Sequence, residues 1–194
     1  MRIGVLTLQG DYAAHARALA RLGVEAVGVR RPADLEGLHG LILPGGESSA
    51  LLRLMQRWSF LEALRSFSAG GGALFGTCAG LILLAREVRG IEQPCLGLLD
   101  VAVERNSYGR QRESFAVPLA VPVLGAAPFD AVFIRAPRVV ALGPGAAALA
   151  SYGESPVLVR NGRVLGASFH PELTEDARLL AYFLDRIVSR GAPA

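Results

Sequence analysis

Two short segments carry the residue types that covalent chemistry needs: Gly76-Thr77-Cys78-Ala79-Gly80, and Ser168-Phe169-His170-Pro171-Glu172. The first follows an apolar run, Ala73 to Phe75, and precedes a helical run, Leu81 to Ala85. Small residues two before and two after a nucleophile permit a sharp strand-to-helix turn, which presents the side chain and brings following backbone N–H groups close to a developing oxyanion. A helix start also favours a thiolate, because its unpaired N–H groups and dipole stabilise negative charge. The bland alternative for Cys78 is a small buried hydrophobe, which describes most free cysteines. Cys95, after Pro94 in a turn, keeps that reading.

A thiol nucleophile needs a group that moves protons near neutral pH, and histidine suits that task. His15 falls mid-helix and His39 in a turn before a strand, so both are expected at the surface. His170 ends the last strand; Pro171 stiffens the link, and Glu172 stands where it could orient the imidazole and stabilise its charged form. Pro44-Gly45-Gly46-Glu47-Ser48-Ser49 follows another strand, Leu41 to Leu43. Gly-Gly there lets backbone approach a ligand and could supply an oxyanion N–H; the alternative is a turn with Ser48 as a helix cap.

The elements that must position these groups alternate in the first half. Ile3 to Leu8, Val24 to Val29, Leu41 to Leu43 and Ala73 to Phe75 read as strands; Tyr12 to Leu22, Ser48 to Gln56 and Phe60 to Ala69 read as helices. Consecutive apolar positions alternating with helices predict a parallel sheet covered on both faces. The second half reads as antiparallel ribbons: Leu96 to Val103, Ser114 to Pro118, Ala131 to Ile134, Val139 to Leu142, Val157 to Val159 and Val164 to Ser168. One amphipathic helix, Thr174 to Val188, with Thr174 as N-cap, closes the chain, and the tail from Gly191 is expected to fray.

Composition removes several function classes. The 194 residues suit one domain, 1–194, and no apolar run is long enough to span a bilayer. The N-terminus does not read as a signal peptide, so a cytoplasmic location is expected. Every basic residue is Arg, so the chain cannot form a Schiff base through a lysine amine and has no GK[ST] phosphate loop. The net charge of +3 is small and the arginines are scattered except around Arg105, Arg110 and Arg112, which argues against a nucleic-acid partner. Two cysteines with no metal-site spacing indicate neither a disulfide framework nor a metal site.

LQGDY at 8–12, LILPGGESS at 41–49, FGTCAGLILLA at 75–85, RNSYGRQ at 105–111, FIRAP at 133–137 and SFHPELTED at 168–176 together resemble the glutaminase-subunit family of pyridoxal 5'-phosphate synthases, within the class I (triad) glutamine amidotransferases. The motifs span almost the whole chain in order. The departures, Ser49 and Tyr108 where the family often has Thr and Phe, leave the triad untouched. The resemblance implies a three-layer α/β fold with an open, mostly parallel sheet. It implies Cys78 as nucleophile with His170 and Glu172 completing the triad, and Gly46, Glu47, Ser48, Arg105, Ile134 and Arg135 around glutamine. It also implies an oxyanion N–H from Ala79, beside the one the Gly45-Gly46 turn offers through Gly46; Gln9 and Gly10, after the first strand, fall with that turn at the carboxyl edge of a parallel sheet, where a partner is expected to dock. The implied reaction hydrolyses L-glutamine to L-glutamate and ammonia without metal or organic cofactor. The ammonia passes to a separate synthase subunit that makes pyridoxal 5'-phosphate from a pentose phosphate and a triose phosphate. Competing readings are the glutaminase subunit of imidazole glycerol phosphate synthase, a catalytically silent binding module on the same scaffold, and a cysteine peptidase or chaperone on a related fold.

Overall fold

The computed structural model describes residues 1–105 and 114–189. Tyr108, Arg110, Gln111 and Arg112 of the expected basic segment, and the tail from Gly191, lie outside them. Short apolar runs form β1 (Ile3–Leu6), β2 (Ala26–Val29), β3 (Gly40–Leu43) and β4 (Ala73–Thr77), separated by α1 (Tyr12–Arg21), α2 (Ser48–Arg57) and α3 (Phe60–Ala69). Then follow α4 (Ala79–Leu84), β5 (Ala85–Arg89), β6 (Leu99–Glu104), β7 (Ser114–Leu119), β8 (Phe129–Ile134) and β9 (Arg138–Leu142). The chain ends with β10 (Ala147–Tyr152), β11 (Ser155–Asn161), β12 (Val164–Ala167) and α5 (Arg178–Tyr182), which continues as a π-helical segment to Val188.

The main sheet has the order β10-β11-β12-β4-β3-β1-β2. Its five strands from β12 to β2 are mutually parallel, and β11 and β10 add antiparallel pairs at one edge. β1, β3, β4 and β12 are buried at every position, as strands covered on both faces must be. One apolar cluster joins Phe75, Phe169 and Phe183 with α1 and the C-terminal helix; the other joins Leu43, Leu51, Phe60 and Leu81 with α2, α3 and α4. β7 pairs with β8, and β5, β6 and β9 form a small mixed sheet.

Several expectations change. The ribbon pattern holds for β7–β8, β6–β9 and β11–β12, whereas β5–β6 and β12–β4 are parallel, and β10, not expected from the sequence, adds a further antiparallel strand beside β11. β6 begins at Leu99 rather than Leu96, because the N–H groups of Leu96, Gly97 and Leu98 bond to the carbonyls of Leu83, Ala85 and Leu84 at the end of α4. The single helix from Thr174 is not formed. Thr174 Oγ1 donates to the Pro171 carbonyl and closes a 3-10 turn, and the Asp176 carboxylate takes the Arg178 N–H at 3.0 Å, so α5 starts there. Short polar side chains that bond their own backbone displace a helix start in this way.

Candidate active site

The turn between β4 and α4 is built by its glycines. Cys78 sits at φ 48°, ψ −102°, an unusual conformation for a residue with a side chain, at the N-cap of α4. A Cβ at Gly76 would lie 2.5 Å from the Gly80 carbonyl carbon, and one at Gly80 would collide with the Leu43 carbonyl oxygen. The backbone of this turn thus packs on itself and on β3, and the Cys78 N–H is strapped to the Ala167 carbonyl at 2.8 Å. Gly80→Ala is expected to cost about 1–3 kcal/mol of stability, read as a lower urea midpoint at unchanged slope; an unchanged midpoint would contradict this packing argument.

Cys78 is less open than the sequence suggests, with only 7% exposure, because the surrounding pocket walls cover it. Its Sγ lies 3.8 Å from the Ile134 carbonyl oxygen. His170 is held by its own N–H on the Val132 carbonyl at 2.8 Å, at the exit of β12, where the chain turns back over the carboxyl edge of the sheet. Its Nδ1 is 2.8 Å from Glu172 Oε1. A carboxylate only accepts, so Nδ1 carries a proton and Nε2 remains for the thiol.

The electrostatics favour a charged imidazole. Burial pushes the His170 pKa down, but its hydrogen bonds with Cys78 and Glu172, and the attraction of both groups, outweigh burial and raise it to about 10. Burial acts to raise the Glu172 pKa, yet the His170 hydrogen bond, with His15 and His170 nearby, holds it below the usual carboxylate range. Cys78, His170 and Glu172 therefore form one line: sulfur, imidazolium, carboxylate.

A pocket of about 130 Å³ opens over Cys78 and His170. It is smaller than the roughly 300–1,000 Å³ typical of drug-sized ligands and suits a single amino acid. All six residues expected around a substrate line it: Gly46, Glu47, Ser48, Arg105, Ile134 and Arg135. Glu47, not Ser48, caps α2. Its carboxylate accepts from the N–H groups of Ser49 and Ala50, and chiefly the Ser49 bond holds its pKa low. Arg105 bonds Glu47 Oε1 at 3.1 Å and Ser49 Oγ at 2.8 Å, so it braces this loop. Arg135, exposed at φ 43°, has no ion-pair partner among the described residues. Ala79 opens α4, where helix geometry leaves its N–H without an intrahelical acceptor.

Gln9 follows β1, and its Oε1 accepts from the Glu47 N–H at 3.1 Å. Gly46, at φ 147°, lies against the Gln9 amide, and Gly10 packs on the Gly45 carbonyl. Two pocket or triad neighbours were not singled out from sequence. Ile82, four residues after Cys78 and so on its helical face, lines the pocket. His15, expected at the surface, is 2% exposed, because the buried face of α1 comprises Ala14, His15, Ala18 and Leu19. His39 is exposed, as expected. No helix among the described residues is long and apolar enough to cross a membrane.

An open, mostly parallel sheet with a strand-turn-helix cysteine facing a histidine and glutamate defines a glutamine amidotransferase-type α/β protein. A solved structure titled crystal structure of glutamine amidotransferase superposes with a TM-score of 0.90 at 52% identity, covering 95% of this chain and 98% of that one. Residues 5–189 match the SNO glutamine amidotransferase family, and the chain belongs to that family. Pyridoxal 5'-phosphate synthase subunit PdxT of Thermus thermophilus is 57% identical over 94% of this chain and 96% of its own length. The protein of the same name from Geobacillus kaustophilus is 53% identical over 96% and 95%. A putative GMP synthase subunit from Thermoplasma acidophilum, 17% identical with a TM-score of 0.70 and covering 98% of this chain and 94% of that one, shares the fold.

Proposed function

We propose that the chain hydrolyses L-glutamine to L-glutamate and ammonia at Cys78, and that the ammonia serves a separate synthase subunit making pyridoxal 5'-phosphate from a pentose phosphate and a triose phosphate. The observation that carries this reading is the Cys78–His170–Glu172 line beneath an amino-acid-sized pocket. The name shared by relatives above 50% identity favours this pathway over that of imidazole glycerol phosphate synthase. The seven-stranded sheet draws strands from both halves of the chain, which supports reading 1–194 as one glutaminase domain. A free-thiol nucleophile fits a reducing compartment, hence the cytoplasm.

The steps follow from the groups in place. The Cys78 sulfur attacks the side-chain amide carbon of glutamine, and the new oxyanion is met by backbone N–H groups, with Ala79 and Gly46 as donors. His170 gives its Nε2 proton to the departing nitrogen, leaving ammonia and a glutamyl thioester. Neutral His170 then takes a proton from water, which attacks the thioester; collapse expels the Cys78 thiolate beside the restored imidazolium and leaves the acid, which gives its proton to solvent as glutamate. Glu172 keeps the imidazole in the required tautomer and supports its charge. Gln9 and Gly10 border the Gly45-Gly46 turn at the same carboxyl edge of the sheet, and we place the synthase-facing side there; a partner moving Gln9 would act directly on the Glu47 peptide N–H.

Arg135 is the candidate for the glutamine α-carboxylate, because Arg105 is committed to Glu47 and Ser49. Arg135→Ala is expected to raise KM for glutamine about tenfold while kcat changes less than about threefold. An unchanged KM would leave Arg135 without that role. The function as a whole is tested by measuring glutamate from glutamine with the synthase subunit present and absent. Release that depends on Cys78 supports it; no release under either condition overturns it.

A further inference from the structure

His15 stands behind the triad, on the side of Glu172 away from the pocket. Asp11 caps α1 by accepting from the Ala14 N–H at 2.9 Å, which places His15 at the first buried turn of the helix. The His15 Nε2 lies 3.6 Å from Glu172 Oε1 and 3.4 Å from Thr77 Oγ1. Thr77 is fully buried and is the residue immediately before Cys78. One ring therefore faces both the carboxylate that orients His170 and the side chain of the residue that precedes the nucleophile.

Glu172 needs such a support. Its Oε1 carries the short bond to His170, while Oε2 is buried and has no hydrogen-bond partner among the described residues. With Oε2 unpartnered, the orientation of the carboxylate, and with it the line of its bond to His170, depends on the groups packed around it. The negative charge facing His15 Nε2 favours the tautomer with the ring's proton on that nitrogen, which also lies within hydrogen-bond distance of Thr77 Oγ1. Burial lowers the His15 pKa, against the pull of Glu172, so the ring supplies an N–H dipole without a full charge. A cation there would compete with His170 for Glu172; a neutral donor steadies the carboxylate and leaves its charge to His170. Asp11 and Arg21 on α1, His170 and Glu172 on the triad loop, and Asp176 before α5 are the ionisable groups around this ring, and Asp176 is tied to Arg178.

We propose that His15 is a positioning residue of the glutaminase centre: its ring steadies the Glu172 carboxylate from behind and ties it to Thr77, fixing the angle at which Glu172 holds His170 toward Cys78. This rests on the triad reading above. The side-chain role differs from simple core filling, which any residue of similar volume would satisfy.

The test uses the chain together with its synthase subunit, comparing wild type, His15→Leu and His15→Gln for kcat, KM for glutamine, the pH dependence of kcat, and Tm. Leu fills the slot without a donor, whereas Gln reaches the position of Nε2 with an N–H. His15→Leu is expected to lower kcat about tenfold to a hundredfold, with KM little changed and the alkaline limb of the profile displaced to lower pH. His15→Gln should recover most of kcat and return the limb. If His15→Leu folds poorly, His15→Asn, whose amide is too short to reach Glu172, should show the same loss and displacement. Wild-type kcat and an unmoved limb in the folded Leu or Asn variant, even with a lower Tm, would overturn the proposal. Cys78→Ala and His170→Asn run alongside separate the two readings. If both retain hydrolysis, the triad and this inference fall together; if both lose it while His15→Leu does not, this inference alone fails.

Discussion

Cys78→Ala is expected to abolish glutamine hydrolysis, at least about a thousandfold below wild type, while secondary structure and synthase binding persist. The thiol is the only part removed, and the elbow that carries it is fixed by contacts of Gly76, Gly80 and the Cys78 N–H that the substitution leaves in place. The internal control is Cys95→Ala. Burial raises the Cys95 thiol pKa, only partly offset by the Gln93 side chain, and Cys95 is not among the residues lining the active-site pocket. Its loss should leave kcat within about twofold, as changes that touch neither the pocket nor the triad do. Substantial activity in purified Cys78→Ala protein would remove the nucleophile from the account.

His170 and Glu172 should separate by degree and by pH. His170→Asn removes the proton carrier and should bring turnover to near background. Glu172→Gln leaves an imidazole without its anionic partner, and kcat is expected to fall on the order of a hundredfold, with a residual rate. The sign of the pH effect follows from the raised pKa. With His170 at about 10 rather than the ordinary 6.5, the imidazolium that protonates the departing nitrogen persists through neutral pH and is lost as pH rises through 10. Its contribution to folding stability runs the same way: fully present below 6.5, lost on approaching 10. Glu172→Gln removes both the charge and the accepted hydrogen bond that support the imidazolium, so the alkaline limb of kcat should move to lower pH. Equal tolerance of both substitutions would reduce the His-Pro-Glu segment to a turn.

The elbow was legible because its requirement is steric: no side chain fits at Gly76 or Gly80, so the glycine spacing around Cys78 is written in the sequence. The parallel half of the sheet was legible for a similar reason, since strands buried on both faces leave runs such as Leu41 to Leu43 with no polar position. β10 escaped notice because Ala147, Ala148 and Ala150 carry little strand preference; its place comes from pairing with β11. The C-terminal helix began late because Asp176 takes the Arg178 N–H and Thr174 closes the preceding turn. His15 could have been found. It lies three and four residues before Ala18 and Leu19, on the apolar stripe of α1, where a polar side chain calls for a buried partner. The partner, Glu172, is distant in sequence, and only the fold brings it there.

The central claim, glutaminase chemistry at Cys78, is tested most directly by treating the chain, with its synthase subunit, with the diazoketone analogue of glutamine and mapping the labelled residue by mass spectrometry. The account predicts a single label on Cys78, blocked by glutamine, appearing in step with loss of glutamate production. Label on Cys95 or elsewhere accompanying the loss, or full glutamate production from protein completely labelled at Cys78, would contradict it.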